Sequence, residues 1–266
     1  MLGLWAHFRG IGLSGDAFPL FLLSGIMGIG IGDVALFQAL PRLGSRLSLL
    51  LIQCLTAPFA VIIEWLWLGT TLSPTQIVCI IGILAGVAVA LTPSEHVRLT
   101  RRELISGTVF AVLAALGGAF GAVLSRKAYA IADGSGPHVD GANAAYQRIV
   151  GGLLIGGICL LFVKRRELRI QKNAPRELII ASSKRKWLRV WPWVLINSIA
   201  GQTLGVSCMQ WALETTPTGL VLAIIAITPV VVIPFAFIME DETPGIRSLV
   251  GGAIAVAGVV ALTTMR

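Results

Sequence analysis

The sequence is poor in charge. Only 13 % of its 266 residues are Asp, Glu, Lys or Arg, where a soluble domain carries about 25 %. Histidine is scarcer still: His7, His96 and His138 stand far apart between apolar stretches, so neither a nucleophile–base pair nor a metal-ligand spacing is visible. The four cysteines (Cys54, Cys79, Cys159, Cys208) sit singly in apolar stretches. Without a CxxC or a Cys/His cluster they form no disulfide framework or zinc site, and they read as small apolar fillers. A glycine-rich phosphate loop ending in Lys-Ser/Thr is missing too, which excludes ATP as this chain's energy source. Met1–Pro19 has no basic start leading into a long apolar core, so it is not a secretory signal. No enzyme activity, cofactor or metal is expected.

What is present is apolar surface and glycine. Hydrophobic residues make up 56 % of the chain, glycines number 30, and the mean hydropathy is +0.85. Eight continuous apolar runs can be drawn, at 19–40, 47–68, 75–92, 104–124, 144–163, 190–213, 219–239 and 246–264. Each is about long enough to cross a bilayer as a helix. They are continuous and not alternating, which excludes a membrane β-barrel. The fold class expected is therefore all-α integral membrane, a multi-pass helical bundle. Glycine suits it, because membrane helices associate through small residues that let backbones approach. The net charge of +8 lies in the links between runs. That placement fits membrane orientation, and nucleic acid is not expected as a partner.

Pro41-Arg42-Leu43-Gly44 and Glu214-Thr215-Thr216-Pro217 read as tight helical hairpins, and Pro93 to Glu103 as the joint between two halves. Two links are longer. Arg126 to Asn143 contains the turn-rich DGSGPHVDG, and Lys164 to Arg189 holds ten Lys or Arg. The second reads as a solvated basic loop, with a surface-lying helix around Glu177–Arg189 as the alternative.

A repeat organises the runs. Ser24 to Leu40, SGIMGIGIGDVALFQAL, aligns without a gap on Asn197 to Leu213, NSIAGQTLGVSCMQWAL. Gly28 falls on Gly201, Gly32 on Gly205, Ala39 on Ala212 and Leu40 on Leu213, at an offset of 173 residues. Each copy leads into a run with an internal proline, Pro58 or Pro229, and then a run with Ala85-Gly86 or Ala257-Gly258 near its end. The incomplete first unit spans 19–92 with three helices, and the second spans 104–264 with five. An odd number of helices per full unit makes the units inverted, as in many transporters. The two runs ahead of Asn197 have no counterparts ahead of Ser24. Two helices are therefore expected to be absent, either because Met1 is an internal start or because the chain is a shortened relative. Residues Met1–Pro19 then read as a remnant of the preceding link.

Several motifs carry a resemblance. Gly117-Gly118-Ala119-Phe120-Gly121 with Leu124-Ser125-Arg126-Lys127 is similar to the first helix of a five-helix repeat, with its basic end. Tyr146-Gln147-Arg148 is similar to the start of the second, and Ala212-Leu213, Thr228-Pro229 and Gly258 to parts of the third, fourth and fifth. On these residues the chain resembles the drug/metabolite transporter superfamily in its EamA-like branch, over about residues 20–264. The family's Leu-Gly-Glu reads Leu68-Gly69-Thr70 in the first half and Met239-Glu240-Asp241 in the second. The resemblance implies a secondary transporter of small organic metabolites working by alternating access, in a bacterial inner or cell membrane. Its partners would be the bilayer and a small-molecule substrate, with a homodimer left open. A proton-coupled exporter of cationic toxic compounds, or a degenerate membrane protein without transport, are the alternatives.

Candidate cavity residues are the polar ones inside apolar runs, because burying them in lipid is expensive. Asp33 reads as a cavity carboxylate or as a residue bonded to a neighbouring helix. Gln38, Gln53, Asn197, Gln202, Gln210 and Trp211 can bind a substrate or another helix. Gln202 and Gln210 are eight apart and are expected on one face of a helix. Pro58 and Pro229, with Thr228, read as gating hinges or tolerated kinks. Arg148 reads as an interface anchor, to which the resemblance adds a structural role. Glu64 reads as snorkelling to the interface beside Trp65 and Trp67. If all eight runs cross, Arg42, Arg46, Arg98, Arg101, Arg102, Arg247 and the ten basic residues of 164–189 share one side. The positive-inside rule favours that side as cytoplasmic, although the resemblance implies the opposite orientation.

Overall fold

A computed structural model describes residues 2, 15–91, 100–135, 138–170, 190–231 and 246–264. The described residues are helical with no strand. The helices are α1 (Phe18–Ser45), α2 (Leu47–Leu68), α3 (Pro74–Leu91), α4 (Arg101–Ser135), α5 (Gly141–Ile170), α6 (190–215), α7 (Thr218–Val231) and α8 (Ile246–Thr264). Six of them, α1 to α5 and α8, are long and apolar enough to cross a membrane. The protein is an integral multi-pass membrane protein. Of the other two expected spans, α6 holds a π-helical stretch at Ser198–Gly205, as α1 does at Ile26–Gly32, and α7 is described only as far as Val231.

The helix boundaries follow local chemistry. Ser73 and Gln76 at the start of α3 bond reciprocally, the Gln76 N–H to Ser73 Oγ at 3.2 Å and the Ser73 N–H to Gln76 Oε1 at 2.9 Å. Thr100 and Glu103 repeat this box at α4. At α5 the Asn143 N–H donates to Asp140 Oδ1 at 2.7 Å. Gly44, at φ 77° and ψ 166°, is the break between α1 and α2, and Gly69 closes α2 at φ 67° in the left-handed region.

Two expected links begin as helix. α4 runs past residue 124 to Ser135, because Ala128, Tyr129 and Ala132 continue its buried face. α5 likewise takes in 164–170. The rest of the basic stretch (171–189), most of 1–14, the 92–99 joint, residues 136–137 and the 232–245 segment lie outside the described residues.

Glycines set the packing. α1 runs antiparallel to α4: a Cβ on Gly121 would lie 3.0 Å from Gly28 Cα, and one on Gly117 3.0 Å from Gly32 Cα. α1 runs parallel to α5, with Gly152 against Ile29 and Ile155 against Gly30. α3 and α8 are antiparallel. A Cβ on Gly86 would come within 2.7 Å of the Gly251 carbonyl, and one on Gly258 within 2.8 Å of Ile83 and 3.5 Å of the Cys79 carbonyl. The backbone approaches of Gly86 to Gly251, Gly117 to Gly32 and Gly121 to Gly28 are close enough to require glycine, and such contacts are where membrane helices gain packing energy. The core runs between these pairs, through Ala57, Ile83, Val87, Ala122, Val123, Leu213 and Ala223.

Both copies of the glycine-rich motif are π-helical, Ile26–Gly32 in α1 and Ser198–Gly205 in α6. The π turn makes i→i+5 hydrogen bonds and shifts the register of all that follows. Of the two glutamines expected on one face, Gln202 within the π stretch is exposed and Gln210 beyond it is fully buried, because among the described residues other helices cover only the later part of α6.

Candidate functional site

The polar centre of the bundle is built around Arg148, which α5 delivers to the π-helical part of α1. The side chain is 5 % exposed. A Cβ on Gly28 would sit 2.5 Å from its Nη2, so glycine there makes room for the guanidinium. Arg148 Nη1 donates to Ser125 Oγ at 3.4 Å. Ser24 donates its proton to the Gly121 carbonyl at 2.6 Å, which leaves Ser125 to donate to Ser24 Oγ at 2.7 Å. The result is a directed chain from α5 through α4 to α1. Asp33 lies within electrostatic reach of Arg148, yet the two do not form an ion pair. Arg148 Nε has no hydrogen-bond partner. A buried guanidinium so incompletely matched is costly.

More unmatched polar groups lie on the adjoining helices. The Tyr129 hydroxyl of α4, both amide atoms of Asn143 and the Gln147 Oε1 of α5, and both amide atoms of Gln210 in α6 are buried without hydrogen-bond partners. All four residues are at most 2 % exposed. Tyr129 packs edge-on to Phe21, with centroids 5.1 Å apart, and its hydroxyl is in electrostatic reach of Arg148, Glu214 and Asp140. Gly141 at the start of α5 fits against the Ser207 carbonyl and the backbone of Trp211. This brings α5 onto the part of α6 that carries Gln210. Buried polar groups in proteins are nearly always paired. This set offers hydrogen-bond donors and acceptors to a polar guest.

A second polar cluster ties the halves together. Glu64 Oε1 lies 2.6 Å from Arg126 Nε, and the Thr218 N–H donates to Glu64 Oε2 at 2.7 Å. Arg126 Nη1 donates to the carbonyls of Leu213, at 3.3 Å, and Thr216. The glutamate thus sits on the N-terminal N–H end of α7 and the arginine on the C-terminal carbonyls of α6, each where the helix dipole favours its sign. Glu64 is 2 % exposed. The snorkelling reading is therefore wrong, because an ion pair and a helix start compensate its burial. Arg126, expected in a link, is its partner inside α4.

The remaining candidates scatter. Asp33, Gln53, Pro58 and Pro229 are half-buried, whereas Gln38, Asn197, Gln202, Trp211 and Thr228 are exposed on the bundle surface. Gln38 is engaged locally, its Oε1 accepting from Arg42 at 3.0 Å. Pro58 leaves α2 helical, whereas Pro229 follows a break at Ala226–Ile227. Of the candidate residues, Asp33 and Arg148 come together. Sequence reasoning missed Ser24, Ser125, Tyr129, Asn143 and Gln147. The i, i+4 spacing of Asn143 and Gln147, ahead of Gly151 on the same helix, was a usable signal.

No curated protein matches the chain. A solved crystal structure of a protein superposes on it with a TM-score of 0.70 at 18 % identity, over 100 % of this chain and 84 % of that one. That likeness speaks for the fold. Residues 1–92 and 105–264, nearly the whole length, match a family whose members carry small molecules across membranes. The apolar helices, their glycine-mediated packing and the polar centre at Arg148 fit such a protein, and the chain belongs to the EamA-like transporter family.

Proposed function

We propose that the chain is a secondary carrier of small organic metabolites, working by alternating access between two inverted repeats of three and five helices, 19–92 and 104–264. The antiparallel contact of α3 with α8 supports the inversion. In the repeat Gly86 corresponds to Gly258, Cys79 to Gly251 and Ile83 to Ala255. The contact of Gly86 with Gly251 is then mirrored by that of Gly258 with Cys79, and Gly86 with Ala255 by Gly258 with Ile83. Reciprocal contacts of this kind are what a two-fold axis produces. An axis between two antiparallel spanning helices lies in the membrane plane. The family match is also interrupted between residues 92 and 105, at the joint between the units.

The observation that carries the transport reading is Arg148, buried without an ion-pair partner beside unmatched hydroxyl and amide groups. The test is counterflow into proteoliposomes with a panel of organic acids, amino acids, amines and neutral metabolites. Saturable counterflow of at least one solute, lost in Arg148→Gln while the variant stays folded, is expected. Counterflow that is unchanged in a folded Arg148→Gln would remove Arg148 from the pathway, and a panel without any counterflow would contradict transport. Asp33, half-buried near Arg148, favours a second reading, proton-coupled export of cationic compounds. In that case Asp33→Asn abolishes uptake driven by a proton gradient and leaves counterflow in place.

A further inference from the structure

Glu64 joins elements of both units at one end of the bundle, where α2 and α6 finish and α7 begins. Its carboxylate lies 2.6 Å from the Arg126 Nε of α4 and accepts the Thr218 N–H of α7 at 2.7 Å. Arg126 in turn reaches the last carbonyls of α6. One side chain of the first unit thus ties α2 to three helices of the second. The apolar seam behind it is tight. A Cβ on Gly219 would lie 3.5 Å from Val61 Cβ, and one turn further in Ala57 and Ala223 are both fully buried. The same residue types do not recur for the opposite end. Counted from the prolines of the repeat, Thr218 corresponds to Leu47 at the start of α2, and Glu64 corresponds to Phe235. Phenylalanine has no carboxylate to offer a helix N-terminus or a guanidinium.

We propose that Glu64 is a one-sided latch, which holds the two units together at the end of the α6–α7 hairpin and makes the state closed at that end the resting one. Parting α2 from α7 strands a buried carboxylate and its arginine, so that end opens only as water takes over their hydrogen bonds. Opening the other end breaks no equivalent of this pair. In a carrier of inverted repeats the two ends exchange roles, and a charge pair present at one end alone shifts the balance between the two states. The inference rests on the alternating-access reading and adds to it which end is held shut, and by which residue.

The reporter is Ala223→Cys in a full chain with the four native cysteines replaced by alanine, held in nanodiscs and treated with a charged, water-soluble maleimide. Labelling is expected to be slow and to rise about tenfold in Glu64→Gln, which exchanges charge-assisted hydrogen bonds for neutral ones. Arg126→Gln should raise it likewise, and it carries the test if Glu64→Gln does not fold. Ile83→Cys, buried between α3 and α8, should stay slow in both variants. Unchanged labelling at residue 223 would overturn the latch, and so would an equal rise at residue 83, which reports general loosening. In a second chain Val61→Cys and Gly219→Cys stand at a Cβ separation that suits a disulfide. Oxidation should stop counterflow of the solutes in the panel, and reduction should restore it. Counterflow that survives the disulfide would overturn the latch. A chain without counterflow even when reduced would contradict transport alone, and the labelling then decides the latch.

Discussion

The two copies of the glycine-rich motif share a backbone but not an environment. In α1, Gly28, Gly30 and Gly32 are buried against α4 and α5. In α6, Gly201 and Gly205 are exposed, and the π-helical stretch has no buried residue. Both nevertheless widen into a π turn. The widening therefore follows the sequence and not the contacts, whereas burial depends on which helix arrives to cover the motif. The prolines teach the converse. Pro58 rides in an unbroken α2, while the helix before Pro229 breaks at Ala226–Ile227, although both remove one backbone hydrogen bond.

The sharpest way to break the comparison is where the first unit reaches into the second. Glu64 of α2 holds Arg126 and the first N–H of α7, so Glu64→Ala should cost about 3–5 kcal/mol, as removal of one partner of a buried ion pair does. Thermal denaturation in nanodiscs measures it. A loss below about 1 kcal/mol, the value of an exposed pair, would mean the pair is solvated. Next comes the same substitution in each copy. Gly28→Leu drives a side chain into the Arg148 guanidinium and should cost about 1–3 kcal/mol or more. Gly201→Leu meets open surroundings and should stay within about 0.5 kcal/mol. Equal losses would mean that the α6 face is covered in the membrane.

The smallest contrast lies at the threonines. Without an N–H, Pro229 leaves the Ile225 carbonyl free of its helical donor, and the Thr228 hydroxyl bonds that carbonyl at 2.6 Å. Thr56 instead bonds the Ile52 carbonyl, which an unbroken helix already satisfies. Thr228→Ala should therefore cost about 1 kcal/mol, the scale of one net hydrogen bond, and Thr56→Ala measurably less in the same melts. The reverse order would show that the break at Ala226–Ile227 does not govern that bond.

Much of this was legible in the sequence. Continuous apolar runs locate helices because lipid forces every segment to satisfy its own backbone. The repeat and the family were legible for a related reason: Gly28 and Gly32 occupy positions where only small residues pack, and Gly201 and Gly205 keep the same residue type at the same spacing. The polar centre was legible only in part. Arg148 and Gln210 stood out as polar residues inside runs, but Ser24, Ser125 and Tyr129 carry no such signal, because hydroxyls are common in membrane helices. Glu64 was misread because its partner, Arg126, is 62 residues away and only packing joins them. The different burial of Gln202 and Gln210 could not be read either, since it depends on where along α6 the neighbouring helices arrive.

The central claim is that the two units are inverted, and the α3–α8 contact tests it most directly. Ser248 donates to the Ala90 carbonyl at 3.2 Å, while Cys79 lies eleven residues back along α3, about 16 Å away at 1.5 Å per residue. In a chain with Cys54, Cys159 and Cys208 replaced by alanine, Ser248→Cys should form a short-span thiol crosslink with Ala90→Cys. With Ala90 restored and native Cys79 as the second thiol, it should form none. Crosslinking of Ser248→Cys to Cys79 and not to Ala90→Cys would make the helices parallel and contradict the inverted pair.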